Sequence, residues 1–174
     1  LNKNEIYDRL RERFDLFGMD TNRVLNSYPI QLTAGERQRS VIGISTLLNP
    51  QMVIADEPTS ALDVSTQKEV IKMIFDLLDK GIFSTMIFIT HELPLLYHVA
   101  DNIAIMYAGE IVEKGTAEQV VKDPRHPYTQ ALMGAMLSTE QSQRTRKPVA
   151  IEGAPPSLKK AIVGCRFADR CARA

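Results

Sequence analysis

The sequence predicts an α/β fold, a parallel sheet with flanking helices, and three observations carry that expectation. Two uninterrupted apolar runs, Met52–Ala55 and Thr85–Ile89, have the length of strands. Between them, from Asp63 to Lys80, the apolar residues Val70, Ile71, Ile74, Leu77 and Leu78 recur at helical spacing, and Gly81 supplies the stop. A strand, a helix and a second strand imply a crossover that sets the strands parallel, and apolar runs of this kind are expected to be buried on both faces.

The other elements follow in order. From Asn4 to Phe17, Ile6, Leu10, Phe14 and Phe17 fall three and four residues apart with charges between them, which predicts an amphipathic helix ending near Gly18. A second helix is expected from about Gly35 to Leu48, carrying Val41, Ile42, Ile44, Leu47 and Leu48 and stopped by Asn49-Pro50. Ile103–Tyr107 and Glu110–Glu113 read as a hairpin across Ala108-Gly109, and Thr116-Ala117-Glu118-Gln119 has the spacing of a capping box. From Thr139 to Pro148 the chain is polar and linker-like. It shows no internal repeat.

Composition narrows the function classes. The 174 residues are 44% hydrophobic, enough for a core. Lys and Arg number 21 against 21 Asp and Glu, so bulk charge offers no footprint for nucleic acid or an anionic membrane. No stretch approaches the roughly 18 apolar residues that span a bilayer, and the polar start is no signal peptide. Two cysteines, Cys165 and Cys171, do not make a secreted disulfide framework, which favours a cytosolic setting. A start at Leu1 instead of methionine suggests a fragment.

The chemistry-bearing residues gather at strand ends. Asp56 and Glu57 directly follow the first apolar run, and His91 follows the second by two residues, so all three project near the carboxyl edge of one parallel sheet, where such sheets place ligands. Two adjacent acids there suit a hydrated magnesium ion on a nucleotide, or they simply open a solvated turn at Pro58. Leu32-Thr33-Ala34-Gly35-Glu36 precedes a helix with small residues, leaving backbone N–H groups able to approach a phosphate; Thr33 and Glu36 equally make an ordinary capping box. Arg37 and Arg39 either bind acids of a neighbouring element or form a solvated face.

Together these residues carry a resemblance. The stretch from Leu32 to His91 resembles the second half of the ATP-binding cassette of ABC transporters, a P-loop NTPase-like nucleotide-binding domain. The signature motif lies at Leu32–Glu36, Walker B at Met52–Glu57, the D-loop at Ser60–Asp63 and the H-loop histidine at His91. Ser27–Leu32, His126–Leu132 and Gly164–Cys171 are similar to the oligopeptide, dipeptide and nickel importer branch. Thr33 stands where the family has Ser, Ala34 where it has its first Gly, and Glu36 where it often has Gln or Met. A position needing positive φ would be hindered by Ala34. None of the nine glycines begins the P-loop pattern, so the sequence holds no Walker A. The resemblance therefore implies a carboxyl-terminal portion cut inside the helical subdomain. Residues 1–48 would be part of that subdomain, 49–138 half of the catalytic core, and 139–174 an extension with the cysteine pair.

In this family ATP is sandwiched between two cassettes. The resemblance implies that Asp56 holds magnesium, Glu57 polarises the attacking water and His91 contacts the γ-phosphate. Thr33, Ala34, Gly35 and Glu36 would face the opposite nucleotide, while Ser60 and Asp63 would line the D-loop between sites. Implied partners are a second cassette, membrane permease subunits and, indirectly, an extracytoplasmic solute-binding protein, at the cytoplasmic membrane face and without nucleic acid. The alternatives are a soluble cassette ATPase and a non-hydrolysing interaction or regulatory module. Cys165 and Cys171 would be half of an iron–sulfur site in a longer protein, or two ordinary thiols in a flexible tail.

Overall fold

The structure, a computed structural model, describes residues 2–135, 151–159 and 161–174. The linker-like run from 139 to 148 lies outside the described residues. The chain divides into two compact units, Leu1–His91 and Glu92–Ala174.

In the first unit, α1 (Lys3–Leu16) starts on a capping box between Asn2 and Glu5 and stops at Gly18, whose φ of 61° only glycine adopts cheaply. Then come α2 (Thr21–Leu25), a 3-10 turn (Pro29–Gln31), α3 (Ala34–Ser45), β1 (Met52–Asp56), α4 (Val64–Asp79) and β2 (Thr85–Ile89). Phe14, Phe17, Met19, Val24, Leu32, Val70, Met73, Ile74, Leu77 and Phe83 form one core. The helical spacing read on α4 is the spacing of its buried face, since Val70 and Leu77 are fully buried.

Two sequence expectations are corrected here. The apolar set of the second helix lines its buried face only in part: Ile42 packs on the core, but Val41, Ile44 and Leu48 are exposed, and Gly35, Gly43 and Thr46 are buried. The reason is close packing on aromatic rings. A Cβ at Gly43 would come within 2.8 Å of Phe14 Cε1 and 3.2 Å of Phe17 Cε2. The helix also ends at Ser45, short of Leu48, because the buried Arg13 donates to the Thr46 carbonyl (3.1 Å) and to Asn49 Oδ1 (2.8 Å), capping the end. Burial lowers the pKa of Arg13 below the ordinary arginine value.

The second correction concerns the sheet. Strands β1 and β2 pair in parallel, Met52 opposite Thr85 and Asp56 opposite Ile89, as the crossover requires. Only one face is covered. Val53, Met86 and Phe88 pack on the core, while Met52, Ile54, Ile87 and Ile89 are exposed. With side chains alternating, helices on one side of a two-stranded sheet bury every second residue.

The second unit holds α5 (Leu93–Val99), β3 (Asn102–Tyr107), β4 (Glu110–Thr116), α6 (Ala117–Lys122), α7 (Pro127–Ala135) and a 3-10 turn (Ala168–Arg170). Strands β3 and β4 form the expected hairpin, with positive φ at Ala108 and Gly109 in the two-residue turn. Thr116 and Gln119 make both bonds of the capping box that starts α6. The tail is not a loose appendage. Phe167, 2% exposed, packs among Tyr107, Tyr128 and His126. Arg166 bonds the Ala108 carbonyl and Glu110, and Arg170 bonds Tyr107 Oη and the carbonyls of Ile151 and Glu152. Cys165 is exposed and Cys171 half-buried, both as free thiols.

Candidate active site

The candidate site grows out of the end of β1. Asp56 closes the ladder opposite Ile89, and Glu57 extends it by one bond, its N–H donating to the Ile89 carbonyl at 2.9 Å. The chain then turns sharply. Glu57 has a φ of 48°, a conformation that costs a non-glycine residue on the order of 1 kcal/mol. Pro58 follows, Ser60 N–H bonds the Glu57 carbonyl at 3.1 Å, and Ala61 again has positive φ. That backbone swings the Glu57 side chain toward the end of β2.

There it meets His91. Nδ1 of His91 lies 2.7 Å from Oε1 of Glu57. An ionised carboxylate only accepts, so Nδ1 carries a proton and donates it to Glu57. The second carboxylate oxygen, Oε2, is buried and takes no hydrogen bond among the described residues. A buried acceptor without a donor is costly, and a bound water would satisfy it. Asp56, by contrast, is exposed at the strand end. Asp56, Glu57 and His91 thus stand together at one sheet edge, as their strand positions implied.

The loop after them leads into α4. Ser60 is exposed. Asp63 is the N-cap of α4: its carboxylate accepts from the N–H groups of Ser65 and Thr66, both at 3.0 Å, from Thr66 Oγ1 at 2.6 Å, and from the Ser65 hydroxyl. These bonds, chiefly those of the Ser65 and Thr66 hydroxyls, hold the Asp63 carboxyl well below the ordinary carboxylate range.

The residues that resemble the signature motif, Thr33–Glu36, occupy the start of α3. Thr33 is the N-cap, its Oγ1 accepting from Glu36 N–H at 3.2 Å, while Glu36 Oε2 accepts from Thr33 N–H at 2.9 Å. Ala34 opens the helix, so no positive φ strains it. Gly35 is buried, and a Cβ there would stand 2.7 Å from Thr66 Cγ2 of α4. No bond or ion pair given among the described residues links Thr33–Glu36 to Glu57 or His91. Cys165 and Cys171 belong to the other unit.

Sequence reasoning missed Arg23 and Thr59, and left the partners of Arg37 and Arg39 open. Arg23 of α2 forms an ion pair with Glu36, and nothing in the spacing of the two residues announces it. That hydrogen bond, before the backbone bond from Thr33, brings the Glu36 carboxyl down to about 2. Arg37 Nη1 donates to the Leu32 carbonyl at 2.5 Å, so it braces the loop before α3 instead of meeting an acid; Arg39 does approach one, Glu69, at 3.9 Å. Thr59 is fully buried, and its carbonyl accepts from Gln67 Nε2 at 3.3 Å, pinning the turn beyond Glu57.

Comparison with known proteins places the chain in a family. Residues 2–60 match the ABC transporter family, and residues 112–174 match the oligopeptide/dipeptide transporter C-terminal region. The dipeptide transport ATP-binding protein DppD of Caldanaerobacter subterraneus is 39% identical over 168 residues, 97% of this chain and 51% of the relative. The oligopeptide transport ATP-binding protein OppD of Bacillus subtilis is 42% identical over 172 residues, 98% of this chain and 47% of the relative. The chain thus spans about half the length of the curated relatives it matches. Among solved structures, CbiO1 of Clostridium perfringens, described as part of the ABC transporter complex CbiONQ, matches with a TM-score of 0.60 and 25% identity over 71% of this chain and 48% of that one. The chain belongs to the ABC transporter ATP-binding family, on the branch that carries the oligopeptide/dipeptide transporter C-terminal region.

Proposed function

We propose that this chain is part of an ATP-hydrolysing subunit that powers import of oligopeptides or dipeptides through an ABC transporter, peripheral to the cytoplasmic face of the membrane. The observation that carries this reading is the 2.7 Å pair of Glu57 and His91 beside Asp56 at the carboxyl edge of a parallel sheet. Glu57 serves as general base: Oε1 is held by His91, and Oε2, lacking a protein donor, orients and deprotonates the attacking water. With the ring protonated on both nitrogens, Nε2–H of His91 donates to the γ-phosphate while Nδ1–H, on Glu57, fixes the ring. Asp56, exposed at the end of β1, offers the hard, acceptor-only oxygens that suit magnesium. Magnesium bound with the nucleotide supplies charge neutralisation at the phosphates.

The signature residues Thr33–Glu36 act on the nucleotide of a second cassette, and Ser60 and Asp63 form the link between the two sites. In this reading 1–48 belongs to the helical subdomain, 49–138 to the catalytic core and 139–174 to a branch-specific extension. The P-loop comes from residues outside this sequence. Permease subunits carry the solute path, with an extracytoplasmic solute-binding protein upstream of them; the relatives named for dipeptide and oligopeptide transport support that assignment. Among the described residues no helix is long and apolar enough to cross a membrane, and no group of three or more His, Cys, Asp and Glu side chains could hold a metal. Cys165 and Cys171 are free thiols here.

The test is Glu57→Gln in a complete cassette carrying this segment. Turnover is expected to fall about 100-fold or more, the usual contribution of a general base, with MgATP binding retained. A variant that keeps most of the rate refutes the assignment, and one that loses binding as well makes Glu57 a structural carboxylate.

A further inference from the structure

We propose that Arg23 is a positioning residue for the signature helix, one that masks the charge of Glu36 so that the start of α3 can receive a phosphate. The proposal rests on the function argued above. It begins with an electrostatic conflict in the sequence itself. The first turn of a helix favours an anion because its N–H groups are unpaired and the dipole is positive there. Glu36, in that first turn, places a carboxylate where a polyanionic nucleotide is expected to dock.

The structure resolves the conflict with a residue 13 positions earlier. Arg23 reaches across from α2 and grips the carboxylate with both arms of its guanidinium, Nη1 on Oε1 and Nη2 on Oε2 at 3.4 Å. Oε2 also accepts the Thr33 N–H, so both oxygens are engaged and turned back toward the helix cap. Arg23 itself is anchored, since its backbone N–H donates to Asp20 Oδ1 at 3.0 Å as the capping bond of α2. Charge balance follows: a cation within the same patch cancels the anion, and the remaining donors of α3 face the nucleotide. A planar two-armed donor suits this task better than a lysine, because it fixes the carboxylate's direction as well as its charge.

This role differs from that of a simple strut between α2 and α3. A strut made by this pair fails when either partner is changed, whereas a mask is needed only while a carboxylate stands at 36. Glutamine at 36 preserves the capping box, because a side-chain amide oxygen accepts the same Thr33 N–H.

The experiment measures MgATP turnover, KM and kcat for the complete cassette and for Arg23→Gln, Glu36→Gln and the double variant, at low and high ionic strength. Arg23→Gln is expected to raise KM roughly 10-fold at low salt, the scale of one unmasked charge beside a phosphate, with kcat at saturation changed less than twofold. High salt is expected to shrink that defect by screening. The double variant is expected to match Glu36→Gln alone, and both to show a smaller KM defect than Arg23→Gln, where a strut would impair all three alike. The proposal is overturned if Arg23→Gln leaves KM within twofold of the unmodified protein, or if its defect is insensitive to salt. It is equally overturned if the double variant stays impaired relative to Glu36→Gln, or if Arg23→Gln fails to fold and Glu36→Gln does not repair it. Absence of MgATP turnover in the unmodified cassette instead removes the function on which the proposal rests, and the proposal with it.

Discussion

Gly35 separates two explanations of a signature glycine: closeness to a phosphate, and closeness to a neighbouring helix. Its Cα faces α4, where an added Cβ would stand 2.7 Å from Thr66 Cγ2, a distance real methyl contacts do not reach. Thr66 cannot simply swing away. Its Oγ1 donates to Asp63 Oδ2 at 2.6 Å, so rotating the methyl away gives up that bond at the cap of α4. Overpacking of this kind costs about 1–3 kcal/mol, while replacing glycine with alanine in a helix returns at most ~1 kcal/mol. Gly35→Ala is therefore expected to destabilise the first unit by roughly 1 kcal/mol. Thr66→Ser is the decisive partner, because it removes the obstructing methyl and keeps the hydroxyl on Asp63. Urea unfolding of the unmodified chain, both single variants and the double variant gives a coupling energy, expected to favour the double by about 1 kcal/mol. Gly134→Ala in α7, where an added Cβ meets nothing within 4 Å, controls for propensity alone and is expected to be neutral or stabilising. If Gly35→Ala stabilises the chain like Gly134→Ala, or Thr66→Ser gives no coupling, the packing argument is wrong and the glycine serves the phosphate alone.

Three further outcomes follow from the same geometry. Arg13→Met removes the donor that caps the Thr46 carbonyl and Asn49, and is expected to cost about 1–3 kcal/mol, the range for losing charged hydrogen bonds from a buried site; a denaturant midpoint unchanged from the parent would refute it. Glu36 titrates at about 2 in the folded chain against an ordinary 4.5, so its contribution is complete above about pH 4.5 and lost as pH falls from there toward 2. Melting temperatures across that window are expected to fall less steeply for Glu36→Gln, and parallel curves would show the ion pair to be idle. Arg170→Ala frees the segment around Ile151 and Glu152 from Tyr107 and is expected to speed proteolysis there at least several-fold, with Arg170→Lys failing to restore protection because one ammonium cannot serve three acceptors.

How far the sequence was legible depends on where each signal resides. Periodicity placed the elements, because α4 and the two strands obey local rules that need no knowledge of neighbours: the Asp63 cap, the Val70 to Leu78 face and the Gly81 stop lie within one stretch of chain. The juxtaposition of Asp56, Glu57 and His91 was legible for a related reason. Parallel pairing of two runs of known direction brings their carboxyl ends together whatever the side chains are. What stayed hidden is whatever one element does to another. The buried face of α3 is set by the rings of Phe14 and Phe17 and by the methyl of Thr66, so its two glycines face inward while Val41 and Ile44 are exposed, an arrangement that no spacing within the helix announces. The tail was read as loose because three arginines and one phenylalanine look polar and sparse in sequence, yet each finds a carbonyl or a ring 18 or more residues away.

The same division applies within the site. The positive φ of Glu57 has no local sequence signal, since the adjacent Pro58 restricts it toward extended backbone and glycine would be the cheaper choice. A carboxylate is kept there in spite of the cost, and the turn it makes is what delivers Oε1 to His91 at 2.7 Å. A residue whose side chain served only to cap or to solvate would be replaceable by glycine with a gain in backbone energy. The strain is therefore informative about role: Glu57→Gly relaxes the turn as it gives up the His91 bond, so stability is expected to stay within ~1 kcal/mol of the parent while turnover is lost, whereas a glutamate held for structure would lose more stability than that. Thermal melts and MgATP turnover measured on one preparation of the complete cassette decide between them, and a drop in both, with stability falling by more than that, refutes the reading of the turn as strain held for catalysis.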